Sequence, residues 1–273
     1  TDATEIEVKR RRVFYIPGYD PIHPRRYREL YRTESAEQAQ ISGYDIRLSP
    51  KQGKGNYGWS VQADMDGTQT DTAVEVLVWS DIVRKSMGKS IPATYGQLAR
   101  TAWTYIASGA LRRLMWLRKG PVIAALYPVG MLILQLVLAL LAGLVAAKLL
   151  GWGLRLGFDG ITGLIGRLFP AEPGDAPFDF SIFTVARSVL MWAIGGLVAW
   201  KLLTWFKHKD GKFFAYYLMH DYAYSARWKG ANPPDLEERM AQFRAEIAEA
   251  LQQDLDEVLV VGHSSGAHLA VSI

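Results

Sequence analysis

Glu257-Val258-Leu259-Val260-Val261-Gly262-His263-Ser264-Ser265-Gly266-Ala267-His268-Leu269-Ala270 is the stretch that decides the fold. Its first half is an apolar, β-branched run, as expected of a strand buried on both faces of a parallel sheet. Its second half is an apolar run of helical type. Between them stands Gly-x-Ser-x-Gly. With 25 Gly and 14 Ser among 273 residues, those five letters arise by chance about 0.1 times per chain. The letters alone therefore carry little, and the strand–turn–helix setting carries the rest. A turn this tight brings strand and helix close together. Glycines two before and two after the serine, Gly262 and Gly266, leave room for that approach. The serine between them is forced into a strained backbone conformation at the carboxyl end of the sheet.

Outward from this stretch, strand and helix signals alternate. Leu236, Met240, Phe243, Ile247 and Leu251 recur at helical spacing, with Glu237, Glu238, Arg244, Glu246 and Glu249 opposite. Asn232-Pro233-Pro234-Asp235 opens that helix with a capping residue and first-turn prolines. At the other end of the chain, Arg12–Ile16 is a short strand ended by Pro17-Gly18. Pro24–Ala39 reads as a helix with Tyr27, Leu30 and Tyr31 on one side. Tyr44–Leu48 and Tyr57–Ala63 read as strands around a glycine-rich turn, and Ala73–Trp79 as a buried strand. The letters Gly53-Lys54-Gly55-Asn56-Tyr57-Gly58 match Gly-x-Gly-x-x-Gly, but their neighbours suit a hairpin turn rather than a strand-to-helix junction. The expected class is α/β with a parallel sheet, in which Val13–Ile16, Val74–Trp79 and Val258–Val261 are neighbouring strands.

An apolar block interrupts this pattern. Half the residues are hydrophobic and 21% are charged, which excludes a disordered or collagen-like chain. The net charge of +4 is too small to imply nucleic acid, and the absence of Cys excludes disulfides and thiolate metal sites. Val122–Ala147 has no charged residue over 26 positions, about 39 Å of helix against a bilayer core of about 30 Å. Ser188–Phe206 is broken only by Lys201, close enough to its end to snorkel. Trp192, Trp200 and Trp205 suit an interfacial belt. Eight basic residues flank the outer ends of these two spans, in 101–121 and 201–221, against four in the linking segment 148–187, which also carries Asp159, Glu172, Asp175 and Asp179. The positive-inside rule then puts both termini in the cytoplasm. The expected location is a multi-pass membrane protein of the bacterial inner-membrane kind. Ile91–Lys119 is expected as one amphipathic helix at the interface, with Leu98, Ala102, Tyr105 and Ile106 on one face. Gly157, Gly160, Gly163 and Gly166 read either as a close-packing stripe, as an interfacial segment or as a flexible linker.

The strand–turn–helix around Ser264 resembles the nucleophile elbow of the α/β-hydrolase superfamily of serine esterases, lipases and peptidases. The resemblance covers about 1–80 and 230–273. It implies one core made of 1–80 and 231–273, interrupted over 81–230 by a two-helix transmembrane hairpin at about 122–147 and 188–206. It implies Ser264 as nucleophile, Gly262 and Gly266 as elbow glycines, and the backbone N–H groups of Ser265 and Tyr19 as oxyanion donors. The second donor follows Pro17-Gly18, where the family often has His-Gly. The family's acid and histidine both follow the serine. His263, His268, His23, His208 and His220 do not occupy the base position. Starting at Thr1 and stopping at Ile273 within an apolar run, the chain reads as the N-terminal part of a longer protein. These residues alone are then expected to be inactive. The implied partners are a lipid bilayer and an acyl-ester substrate, with no cofactor, no metal and no nucleic acid. The oligomeric state is left open, and so is the substrate among lipid, peptide and small ester. A non-catalytic hydrolase-like scaffold or receptor module is the alternative, and a transport component ranks below both.

Overall fold

The chain enters its sheet through an inner strand. β1 (Arg10–Ile16) leads to α1 (Arg25–Ser42), then to β2 (Asp45–Pro50), β3 (Gly58–Met65), β4 (Thr68–Val76) and α2 (Ser80–Ser86). Helices follow: α3 (Ile91–Ala107), α4 (Ala110–Leu114), α5 (Lys119–Leu168), α6 (Ser181–His208), α7 (Asp210–Phe213) and α8 (Ala215–Arg227). α9 (Pro234–Ala250), β5 (Glu257–Gly262) and α10 (Ser265–Ser272) complete the order. The computed structural model describes residues 7–51, 53, 55–88, 90–168, 181–228 and 231–273. The chain divides into two units, Thr1–Met87 with Trp228–Ile273, and Gly88–Arg227.

The first unit is α/β. Its five strands run in the order β2-β3-β4-β1-β5. β4, β1 and β5 are parallel, with Val13 opposite both Val74 and Leu259. β2, β3 and β4 are antiparallel neighbours. The sheet is therefore mixed, where strand–helix alternation suggested a parallel one. The cause is local. Asp66 and Gly67 both have positive φ, 56° and 83°, the signature of a two-residue hairpin turn whose twist matches its strands. No helix separates β3 from β4, so the chain folds straight back. Gly53 and Gly55, also at positive φ, lie in the β2–β3 connection rather than before a helix. β4 ends at Val76, short of the expected Trp79, although the Leu77 N–H still donates to the Tyr15 carbonyl at 2.9 Å.

Period-two alternation assigns the two faces of the sheet. Val13, Tyr15, Val74, Val76, Trp59 and Val61 face α1, where Tyr27 meets Tyr15 and Tyr31 meets Trp59 edge-on or tilted, with ring centroids 5.3 and 5.6 Å apart. Phe14, Ile16 and Glu75 occupy the other face, all buried. Glu75 takes Arg12 and Lys51 as partners, the latter at 3.1 Å. α9 buries Leu236, Met240 and Phe243, each contributing about 1.5–3 kcal/mol. Leu251, expected on that apolar face, is the exposed C-cap. Asn232, expected to cap α9, donates to Glu237 Oε1 at 2.8 Å instead, and Pro233 holds the N-cap position.

The second unit is helical. Two of its helices are long and apolar enough to cross a membrane, over Val122–Ile165 and Thr184–His208. Both exceed the expected spans. Lys148, Arg155 and Asp159, read as linker charges, sit inside α5. An Arg155–Asp159 pair one turn apart, at 3.7 Å, supports that continuation. Glu172, Asp175 and Asp179 lie outside the described residues. α5 and α6 touch in antiparallel sense: a Cβ on Gly143 would lie 2.4 Å from the Gly195 carbonyl, and one on Gly151 2.4 Å from Met191 Sδ. Among the described residues, a Cβ on Gly157, Gly160 or Gly163 would meet nothing within 4 Å. The expected single helix over 91–119 is broken at Gly109, φ 72°. Its buried residues are Ile91, Thr94 and Thr101, while Ile106 is exposed, because the stripe that meets α8 is rotated from the expected one. Leu132, Leu203, Ala215, Tyr216 and Met219 form the core of this unit with Ile91.

Candidate functional site

β5 delivers the serine. Gly262 pairs with Ile16 of β1, and the next amide, His263 N–H, donates to the Ile16 carbonyl at 3.0 Å. The ladder ends there. Ser264 has φ 55° and ψ −125°, a region that a residue with a Cβ occupies at a cost of about 1–3 kcal/mol. α10 starts at the following residue. Gly266 N–H to the His263 carbonyl and Ala267 N–H to the Ser264 carbonyl, both 2.9 Å, close the turn.

The two flanking glycines are sterically required. A Cβ on Gly262 would lie 2.5 Å from Ala267 Cα, and one on Gly266 would lie 2.3 Å from the Ile16 carbonyl oxygen. Atoms that close to backbone cannot be accommodated without moving α10 off β5 in the first case and off the end of β1 in the second. The loop after β1 also runs beside the serine: a Cβ on Gly18 would stand 3.0 Å from Ser264 Cβ and 3.5 Å from its Oγ.

That loop is held from several directions. Trp79 Nε1 donates to the Pro17 carbonyl at 2.8 Å. The Tyr19 hydroxyl shares a 2.7 Å hydrogen bond with Ser86 Oγ, and its ring meets Trp79 edge-on. Asp20 Oδ1 accepts from the Ile22 N–H at 2.9 Å and Oδ2 from the Tyr27 hydroxyl at 2.8 Å. Burial, and after it the Asp20 carboxylate, raise the Tyr15 phenol above its ordinary range. Below the loop, Arg239 makes a bidentate pair with Asp81, 3.0 Å on each arm, and bonds the Val78 carbonyl. Hydrogen bonds from Arg239 hold the Asp81 carboxyl below the usual carboxylate range. Trp79, Ser86 and Arg239 were not singled out by the sequence. Their partners lie 60 or more residues away, and only the tryptophan at the end of an apolar strand gave a signal.

The expected site residues therefore fall as follows. Ser264 is exposed at the β5–α10 junction, and Ser265 is the first residue of α10. Gly262 and Gly266 flank the turn. Tyr19 follows the glycine that lies against Ser264, with its side chain buried. Among the described residues, Ser264 Oγ has no hydrogen-bond partner, and the five histidines lie elsewhere or face solvent. His23 Nδ1 accepts from the Arg25 N–H, His208 Nδ1 meets the Thr204 carbonyl, and His220 Nδ1 meets Gln97 Oε1 at 2.7 Å. Burial lowers the His220 pKa. His263 and His268 are exposed. No group of three or more His, Asp or Glu that could hold a metal ion occurs among the described residues. A cavity of about 510 Å³ opens between α1 and the sheet, lined by Tyr15, Tyr31, Trp59 and Val261 among others, without Ser264 or Tyr19.

No family model, curated protein or solved structure matches this chain. The functional reading therefore stands on local geometry.

Proposed function

We propose that the chain carries the nucleophile of a membrane-anchored serine hydrolase of α/β-hydrolase type. The observation that carries this reading is the strained backbone of Ser264, φ 55° and ψ −125°, exposed between a parallel strand and a helix. Strain of this kind persists where surrounding structure enforces it and clusters at active sites. Here Gly262, Gly266 and Gly18 enforce it.

In this reading Ser264 Oγ attacks the carbonyl carbon of an ester or related acyl substrate. The oxyanion is held by the backbone N–H groups of Ser265 and Tyr19, the latter in a loop already fixed by Trp79 and Ser86. The leaving alcohol departs, and water releases the acyl group from the serine. The serine proton needs a base. In the superfamily the acid and the histidine follow the nucleophile, and residues 265–273 contain no carboxylate. α5 and α6 form a transmembrane hairpin that anchors the domain, with both termini on the cytoplasmic side.

The lone Ser264 Oγ also favours a second reading, a hydrolase-like scaffold without catalysis. Fluorophosphonate labelling of the native protein in its membrane separates the two. Labelling that maps to Ser264 and is lost in Ser264→Ala supports the hydrolase. A folded protein that takes no label at Ser264 supports the scaffold.

A further inference from the structure

From Ile82 to Phe158 the sequence contains no acidic residue, while Arg112, Arg113, Arg118 and Lys119 crowd into eight positions. All four are exposed, and none forms an ion pair among the described residues. Between the two cation pairs, Met115, Trp116 and Leu117 are exposed in one run, Trp116 at 85% of its surface. Trp103 on α3 is exposed at 71%. This combination suits an interface: aromatic and aliphatic groups sit at headgroup level, and cations reach phosphate beside them.

The end of α6 returns to the same region. The Tyr127 hydroxyl of α5 donates to the Phe213 carbonyl at 2.7 Å, which brings exposed Lys209 and Lys212 to the α5 end that carries Lys119. The acidic residues facing this end are engaged within the fold. Asp210 accepts the amides of Tyr216 and Tyr217 through its two oxygens, 2.9 Å each. Asp221 lies beside Tyr105 and Tyr222. Among the described residues, none of these six cations has an ion-pair partner.

We propose that the α4–α5 junction, with Arg112, Arg113, Arg118 and Lys119 assisted by Lys209 and Lys212, docks on anionic phospholipid headgroups of the bilayer surface. The occupant follows from charge complementarity joined to the exposed Met115-Trp116-Leu117 run, which free phosphate or nucleic acid would leave in water. The inference rests on the membrane reading of α5 and α6. A cation near an anionic leaflet gains roughly five-fold in association.

The test uses the full chain reconstituted in phosphatidylcholine vesicles containing about one-tenth phosphatidylglycerol. Spin-labelled versions of each lipid report the relative association constant of protein-contacting lipid. The expected result is about five-fold preference for phosphatidylglycerol, abolished in Arg112→Gln/Arg113→Gln/Arg118→Gln/Lys119→Gln and in about 1 M salt, where screening reaches ~3 Å. Lys148→Gln/Arg155→Gln should keep the preference. Equal association of both lipids with an inserted protein overturns the lipid proposal and leaves the membrane reading standing. A preference erased by modest inorganic phosphate or a short oligonucleotide overturns it in favour of a soluble polyanion. Failure to insert into vesicles of any composition overturns the membrane reading and this proposal together.

Discussion

Replacing Gly266 by alanine puts a methyl group where two carbonyl oxygens already stand. The new Cβ would lie 2.3 Å from the Ile16 oxygen and 2.4 Å from the Pro17 oxygen. Ordinary contact begins at 3.4 Å, so α10 and β1 must part by about 1 Å. Neither neighbour is a side-chain end that can swing away. Overpacking a tight site costs about 1–3 kcal/mol, and a backbone-to-backbone clash belongs at the top of that range. A loss of about 3 kcal/mol raises local opening on the order of 100-fold. Hydrogen exchange of the full chain, read on peptides covering β1 and β5–α10, measures it. The His263 amide, which donates to Ile16, should lose most protection, while amides of β2 and β3 change little. His268→Ala, exposed on the same helix, should stay within about 0.5 kcal/mol. If Ser264 is the nucleophile, a displacement of about 1 Å should also slow fluorophosphonate labelling of the native protein by about 10². Unchanged protection in folded Gly266→Ala would refute the seating of α10 on β1, and with it the steric account of the turn.

Glu75→Gln should destabilise the first unit by about 2 kcal/mol in denaturant titrations, because half-buried Arg12 and Lys51 lose the buried carboxylate they share. Asp81 has its carboxyl lowered by Arg239. Its contribution is complete above about 3.9, the unfolded value, and is lost as pH falls through the folded one. The pair is part-exposed, so its worth is about 1 kcal/mol or less, and Asp81→Asn should flatten the acid limb of the stability curve by that amount. Gly143→Ile should weaken the α5–α6 contact by about 1–3 kcal/mol, seen as a lower unfolding temperature in detergent, because the Gly195 carbonyl lies where its Cβ must go.

What could be read from sequence was local. The strand into Ser264 announced itself by a β-branched run, and the turn by glycines at fixed offsets, since both signals lie within ten residues of the feature. Asp66-Gly67 was equally local and marks a hairpin, but its flanking positions Asp64, Met65 and Thr68 lack the apolar alternation that makes such a pair conspicuous. The length of α5 was hidden for a different reason. Isolated charges such as Lys148 and Arg155 resemble the ends of a span, yet a helix carries them without interruption. The supports of the Pro17–Asp20 loop were out of reach altogether. Tyr19 and Ser86, or Pro17 and Trp79, are joined only by the fold, and no periodicity links residues more than 60 positions apart. The same holds for the Gly18 approach to Ser264.

The pairing of β1 with β5 also sets a timetable for synthesis. β1 to β4 emerge first, and β5 starts only after the whole helical unit has been made, 181 residues beyond the end of β4. At about 5–20 residues per second this leaves one edge of β1 open for roughly 10–40 s. During that interval Arg10, Arg12, Phe14 and Ile16, whose main-chain groups face β5, stand unpaired beside an apolar face, a template for wrong strand partners. The nascent chain has to shelter that edge while α5 and α6 are being made. Factors that hold ribosome-bound chains, or a slow stretch of translation before β5, should therefore govern the yield of this protein more strongly than the stability of its finished sheet.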